Sequence, residues 1–95
     1  MPREWTLETP VLRAPGVVWR ALEREVAIVS PEANAVRTLN EVGARCWELA
    51  DGRTLGAIVE VLLEELEVSR DALEADLRAF LRELDERGLL AGSGG

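Results

Sequence analysis

The stretch from Leu39 to Leu90 limits the possible folds more than any other part of the sequence. It contains three good helix N-caps, each followed by an apolar run at three-and-four spacing: Asn40, Thr54 and Ser69. Two glycines that tolerate the left-handed backbone of helix ends follow such runs, in Asp51-Gly52 and Arg87-Gly88. Because caps, spacings and stops agree, the stretch predicts three packed helices: from Asn40 to about Ala50, over 55–66, and from Ser69 to about Glu86.

The second and third of these helices have one apolar face each. The second carries glutamates on its other side: Glu60, Glu64, Glu65 and Glu67. The third has an apolar stripe that consists of Leu73, Leu77, Phe80, Leu81 and Leu84. Such a stripe is typical of a helix packed on a core, and a residue at its border can line a groove as well.

Upstream, two runs rich in β-branched and aromatic residues, Val17–Leu22 and Glu25–Ser30, predict a hairpin. A turn at Ser30–Asn34 leads to a short third strand, Ala35–Leu39. The predicted fold is therefore α+β, with a three-stranded antiparallel sheet followed by three helices, as in a winged helix-turn-helix domain.

The chain has 95 residues, which is enough for one domain. We place that domain at residues 17–91. Residues 1–16 form an extended N-terminal arm, because Pro10 and Pro15 argue against a helix there. We expect residues 92–95 to form a flexible tail. The sequence leaves open whether the arm packs on the sheet or contacts a partner enzyme.

Composition argues against several functional classes. Eighteen acidic and 11 basic residues give a net charge of −7, which opposes binding to nucleic acid or to an anionic membrane. The chain has no histidine, a single cysteine at Cys46 and no glycine-rich phosphate loop. We therefore expect no metal, no cofactor and no enzymatic activity. Without an apolar run of membrane length or a signal peptide, a cytoplasmic location is expected.

The residues of the helical stretch also resemble a known family. The resemblance lies in the string L-N-E-V-G-A-R-C-W-E-L-A-D-G, the segment from Asp76 to Leu81 and the final Gly88-Leu89-Leu90. Together, in this order, they resemble the PqqD family, also called RiPP recognition elements, where RiPP denotes a ribosomally synthesised and post-translationally modified peptide. The upstream strands are similar to the stand-alone leader-binding half of split lasso-peptide B proteins.

The resemblance implies a non-catalytic adaptor that binds the leader of a precursor peptide and presents it to a maturation enzyme. The leader adds as a strand to the third strand and lies against the third helix. The enzyme expected from the resemblance is the leader peptidase of lasso-peptide biosynthesis; the alternative is a radical SAM enzyme of PQQ synthesis, served by PqqD. The residues implied for peptide binding are Ala35, Val36, Arg37, Thr38, Leu39, Leu73, Asp76, Leu77 and Phe80.

Other interpretations of these residues remain open from the sequence. Asp76 either pairs with Arg37 across the groove, bonds to the peptide, or is a solvated helix charge. Phe80 is either a core residue or a wall of the groove. The third-strand edge could instead pair with a second copy to form a homodimer. A DNA-binding winged helix is a distant alternative, since the predicted third helix has a net negative charge.

Overall fold

The computed structural model describes residues 4–23, 25–30 and 35–91. Within them lie five strands and three helices: β1 Pro10–Leu12, β2 Val18–Ala21, β3 Val26–Ser30, β4 Ala35–Leu39, α1 Glu41–Leu49, β5 Asp51–Thr54, α2 Leu55–Glu65 and α3 Arg70–Glu86. The three predicted strands correspond to β2, β3 and β4. Most of the predicted turn (31–34) and the tail 92–95 lie outside the described residues.

The predicted three-stranded antiparallel sheet is confirmed, with the order β2-β3-β4. Val26 lies opposite Leu39, and Ile28 lies opposite Trp19. Because side chains alternate between the two faces of a sheet, this register directs Val26, Ile28 and Leu39 into the core, where all three are buried. The register thus fixes how β4 approaches the helices.

The three predicted helix caps are confirmed. The Asn40 side chain accepts a hydrogen bond from the Gly43 N–H at 2.9 Å. Thr54 and Ser69 accept equivalent bonds at 3.2 Å from residues three positions later in α2 and α3. Each cap satisfies an N–H group that has no partner inside its helix. Gly88, with φ of 73°, follows the end of α3 as predicted.

A second sheet, formed by β1 and β5, was not predicted. Asp51-Gly52 follows the end of α1 at Leu49 as expected, and Gly52 has a φ of 111°; Asp51 also begins β5, which the sequence did not predict. All four residues of β5 are exposed, so no alternation of apolar residues marks the strand in the sequence. Backbone pairing with β1 holds it instead.

The N-terminal segment packs on the helices. Trp5 and Val11 are buried in the core. The Leu7 and Thr9 carbonyls accept hydrogen bonds of 2.8 and 2.9 Å from the first N–H groups of α2, and the Arg78 side chain donates to the Trp5 carbonyl at 2.9 Å. Residues 5–9 therefore provide hydrogen-bond acceptors for the start of α2 and for the Arg78 side chain of α3.

The core is centred on Trp47, which is fully buried in α1. The Trp19 ring meets it edge to face, with ring centroids 6.3 Å apart. Arg13 donates to the Trp47 and Glu48 carbonyls at 2.7 and 3.1 Å, which places a positive charge at the negative end of α1. None of the helices in the described ranges is both long and apolar enough to cross a bilayer.

Candidate functional site

A groove lies between the end of β4, the start of α1 and one side of α3. Its cavity has a volume of about 490 Å³, within the range of roughly 300 to 1,000 Å³ that is usual for ligand sites. We call it the β4–α3 groove, and it is lined by Thr38, Leu39, Asn40, Val42, Gly43, Asp76, Leu77, Ala79, Phe80 and Glu83.

The floor of the groove is apolar. Leu39 and Leu77 reach it from β4 and α3 but are otherwise buried, with exposed fractions of 3% and 1%. Phe80 comes three residues after Leu77, and at 3.6 residues per turn it is rotated by about 60° from it. That rotation moves the ring from the buried stripe to the border of α3, where it is half-buried. Phe80 therefore forms a wall of the groove.

The rim of the groove is acidic. Asp76 and Glu83 both lie on the groove side of α3, about two turns apart. Asp76 is exposed, and Glu83 also forms an ion pair with Arg87 at 3.4 Å. The carboxylates favour a cationic group above the apolar floor.

Within the described residues β4 pairs with β3 alone, along one of its two edges. The opposite edge borders the groove and has no strand partner in this part of the chain. An edge strand of this kind presents backbone N–H and C=O groups that can bind a further strand.

The hairpin register identifies which backbone groups face that open edge. Leu22 N–H donates to the Glu25 carbonyl at 2.8 Å, so this pair lies at a hydrogen-bonded position of the hairpin. Bonded and non-bonded pairs alternate along an antiparallel ladder, and neither ladder contains a bulge. Counting along both ladders, the backbone groups of Ala35, Arg37 and Leu39 point to β3. Those of Val36 and Thr38 point to the open edge.

The structure brings five of the nine predicted site residues together at the groove: Thr38, Leu39, Asp76, Leu77 and Phe80. Leu73 is buried in the core and does not line the cavity. Only the backbone of Ala35, Val36 and Arg37 is described, so the pairing of Asp76 with Arg37 stays a prediction.

Sequence reasoning missed five other lining residues: Asn40, Val42, Gly43, Ala79 and Glu83. Asn40 was interpreted only as a helix cap. It lies between β4 and α1, at the point where both elements face α3. Gly43 offered a signal of its own, because a glycine in the first turn of a helix costs stability unless its lack of a side chain is needed.

A second, smaller cavity of about 250 Å³ lies on the other side of α1. Arg45 there donates two hydrogen bonds to Glu65, at 2.8 and 2.6 Å. The guanidinium holds the pKa of the Glu65 carboxyl below its ordinary value, and that carboxylate raises the pKa of Arg45. In the described part of the chain, no group of three His, Cys, Asp or Glu side chains could hold a metal ion.

Comparison with known families identifies the chain. The model of the PqqD family, coenzyme PQQ synthesis protein D, matches residues 25–90. This range covers more than half of the chain and includes β3, β4 and all three helices. The chain belongs to the PqqD family. PqqD-family recognition elements are non-catalytic domains that bind leader peptides in RiPP biosynthesis, so this is not an enzyme.

Two solved structures resemble this PqqD-family chain. TbiB1, solved in complex with the TbiA(beta) leader peptide, is 32% identical with a TM-score of 0.78, and the match covers 88% of this chain and 99% of TbiB1. The PqqD part of Methylobacterium extorquens PqqCD, a functional and stand-alone RiPP recognition element, is 23% identical with a TM-score of 0.76; the match covers 94% of this chain and 96% of that one. These likenesses confirm the predicted fold class. A search among curated proteins finds no significant match.

Proposed function

We propose that this chain binds the leader of a ribosomally made precursor peptide in the β4–α3 groove and presents the precursor to a separate maturation enzyme. The observation that carries the proposal is the position of the open β4 edge directly beside a cavity with an apolar floor and an acidic rim. Backbone pairing at such an edge supplies affinity, and the adjoining cavity supplies selectivity.

The leader adds to the sheet as a fourth strand. Val36 and Thr38, whose backbone groups point to the open edge, would each offer one donor and one acceptor to it. Every second side chain of the added strand lies on the same face, about 6.6 to 6.8 Å apart. One or two side chains of the leader therefore enter the groove.

The chemistry of the groove favours a particular kind of leader. The half-buried Phe80 ring suits an apolar residue of the leader, since covering it removes apolar surface from water; Leu39 and Leu77 are already buried below it. Asp76 at the rim suits a basic residue next to it in the leader. An acidic leader would be repelled by Asp76, by Glu83 and by the net charge of −7.

The enzyme partner that we propose is the leader peptidase of a lasso-peptide pathway. The similarity of the β2 and β3 sequences to split lasso-peptide B proteins supports it. The alternative is delivery of a precursor to a radical SAM enzyme in PQQ synthesis, which is favoured by the description of the matching family model.

The test is a calorimetric titration with a synthetic leader of the precursor peptide encoded beside the gene. Binding with a Kd near 1 μM or tighter, about −8 kcal/mol, is the expected result. A parallel assay measures cleavage of the full precursor by the neighbouring peptidase, which should accelerate when the chain is added. Absence of leader binding by the folded protein would refute the proposal. Binding without accelerated cleavage would refute the peptidase as partner and favour the radical SAM alternative.

Pairing of β4 with a second copy of the chain would use the same backbone groups of Val36 and Thr38. A homodimer of this kind and the leader complex therefore exclude each other. Sedimentation velocity measured with and without the leader distinguishes them, because leader binding would convert such a dimer to monomers.

A further inference from the structure

Gly43 is a glycine whose backbone angles do not require glycine. It is buried in the first turn of α1, and the described glycines with positive φ are Gly16, Gly52 and Gly88. In an ordinary helical conformation alanine is more stabilising than glycine. The reason for a glycine at this position therefore lies in what surrounds it.

The space beside Gly43 is occupied by the ring of Phe80. A Cβ atom built on Gly43 would lie 3.3 Å from both Cε1 and Cζ of that ring, and 3.3 Å from the Asn40 Oδ1 atom. Carbon atoms pack best at about 3.5 to 4.0 Å, so a methyl group would press on the ring. The Asn40 Oδ1 atom accepts the capping hydrogen bond from the Gly43 N–H, and 3.3 Å is close to ordinary contact between a carbon and an oxygen atom, so the cap can stay in place. The ring of Phe80 is the neighbour that has to move.

The direction of that movement is set by what lies behind the ring. Leu77, Leu81 and Leu84 of the same helix are all buried with at most 1% exposure, and close-packed interiors leave no room for an aromatic ring. The open side of Phe80 is the groove that it lines. A side chain at position 43 would therefore push the ring a few tenths of an ångström towards the groove.

We propose that Gly43 is a positioning residue for leader recognition. By lacking a side chain it lets the Phe80 ring lie against α1, and this sets the width of the β4–α3 groove. The width selects leaders with a bulky apolar side chain at the position that faces Phe80. The inference rests on the proposed function. It adds Gly43 as a residue that affects leader binding through the position of Phe80.

The first experiment measures thermal stability and leader affinity of the Gly43→Ala variant and compares both with those of the natural protein. Alanine suits a helix, so the unfolding temperature should stay unchanged or rise by a few degrees, about 5 °C at most. The affinity for the synthetic leader should nevertheless fall by about tenfold, as a groove obstructed by a displaced ring loses contacts. If Gly43 were only a structural residue, the Gly43→Ala variant would lose both stability and leader affinity, or it would keep both.

A double-mutant cycle with Phe80→Leu tests whether Gly43 acts through the ring. Leucine is shorter, so an added methyl at position 43 no longer presses on it. Gly43→Ala should then weaken leader binding by less than about twofold in the Phe80→Leu background, against about tenfold in the natural one. An equal loss in both backgrounds would overturn the proposal.

A third measurement does not depend on any variant. Phe80 is the only phenylalanine of the chain, so ring-labelled phenylalanine gives a single set of NMR signals. Those signals should shift when the leader is added to the natural protein. If the leader binds and the signals stay unchanged, or if Gly43→Ala binds it normally, the inference about Gly43 fails and the proposed function stands. If the natural protein binds no leader, both fail.

Discussion

At the scale of single residues, Cys46 illustrates how burial decides chemistry. The thiol lies fully inside the core on α1, and burial raises its pKa to about 12. Since only the thiolate attacks disulfide reagents, the folded protein should not react with dithionitrobenzoate near neutral pH. The same protein in concentrated guanidinium chloride should react completely, with one thiol per chain. Rapid labelling of the native protein would contradict the burial of this helix face.

The ion pair between Arg45 and Glu65 predicts a pH dependence with a defined sign. Because the guanidinium lowers the folded-state pKa of Glu65, the pair stabilises the fold above the ordinary glutamate pKa of about 4.3 and ceases to do so as the pH falls through the lowered value. Both side chains are more than a third exposed, so we expect Glu65→Gln to cost at most about 1 kcal/mol near neutral pH.

The measurement is urea unfolding of the natural protein and the Glu65→Gln variant, at neutral pH and below pH 4. The difference in unfolding free energy should shrink towards zero at the acidic end. A difference that persists there would mean that the substitution acts through packing rather than through the charge.

At the scale of elements, the caps and the apolar spacings were sufficient to predict the helices. Asn40, Thr54 and Ser69 act within their own helix, so the local sequence contains the signal. The pairing of β1 with β5 joins segments about 40 residues apart through backbone groups, and the residues of β5 are all exposed. Nothing in the periodicity of either segment marks that pairing.

The N-terminal segment gives a matched pair of variants at this scale. Val11 and Leu12 are neighbours in β1, with exposed fractions of 0% and 48%. Val11→Ala should lower the free energy of unfolding by about 1.5 kcal/mol or more, since the side chain is removed from a packed core. Leu12→Ala should change it by no more than about 0.5 kcal/mol. Urea unfolding measures both, and equal effects would contradict the docking of this strand.

If the leader adds to β4 as a strand, its affinity depends on backbone N–H groups of β4, and this dependence can be separated from the effect of the side chains. Thr38→Pro removes a backbone N–H that points to the open edge, so leader affinity should fall by about tenfold or more while the sheet remains paired with β3. Thr38→Ala keeps the N–H and is the matched control, with a much smaller loss. Calorimetry provides both affinities, and circular dichroism verifies the fold. Equal affinities of the proline and alanine variants would exclude strand addition at this residue.

For the whole molecule, two of the three elements that line the groove could be named from the sequence, and the third could not. The two sides of the groove, β4 and α3, follow from the resemblance to the family, and Phe80 was named as a candidate wall. The contribution of α1 was missed, because the closeness of Gly43 to Phe80 depends on how two helices cross. Helix crossing depends on how side chains from two distant segments interlock, which a single sequence does not reveal.

The charge of the whole molecule leads to the last prediction, that the chain does not bind DNA despite its winged helix-like arrangement. On α3 and its C-cap residue Arg87, six acidic residues outnumber four arginines. Arg70, Arg78 and Arg87 each lie within 3.4 Å of a carboxylate, so contact with phosphates would require breaking ion pairs. DNA binding depends on releasing counterions with free positive charge. We expect no retardation of a short duplex in a gel shift at low salt, at concentrations that saturate the leader, with a basic DNA-binding protein as positive control. A retarded band that disappears as salt rises would instead indicate a DNA-binding surface.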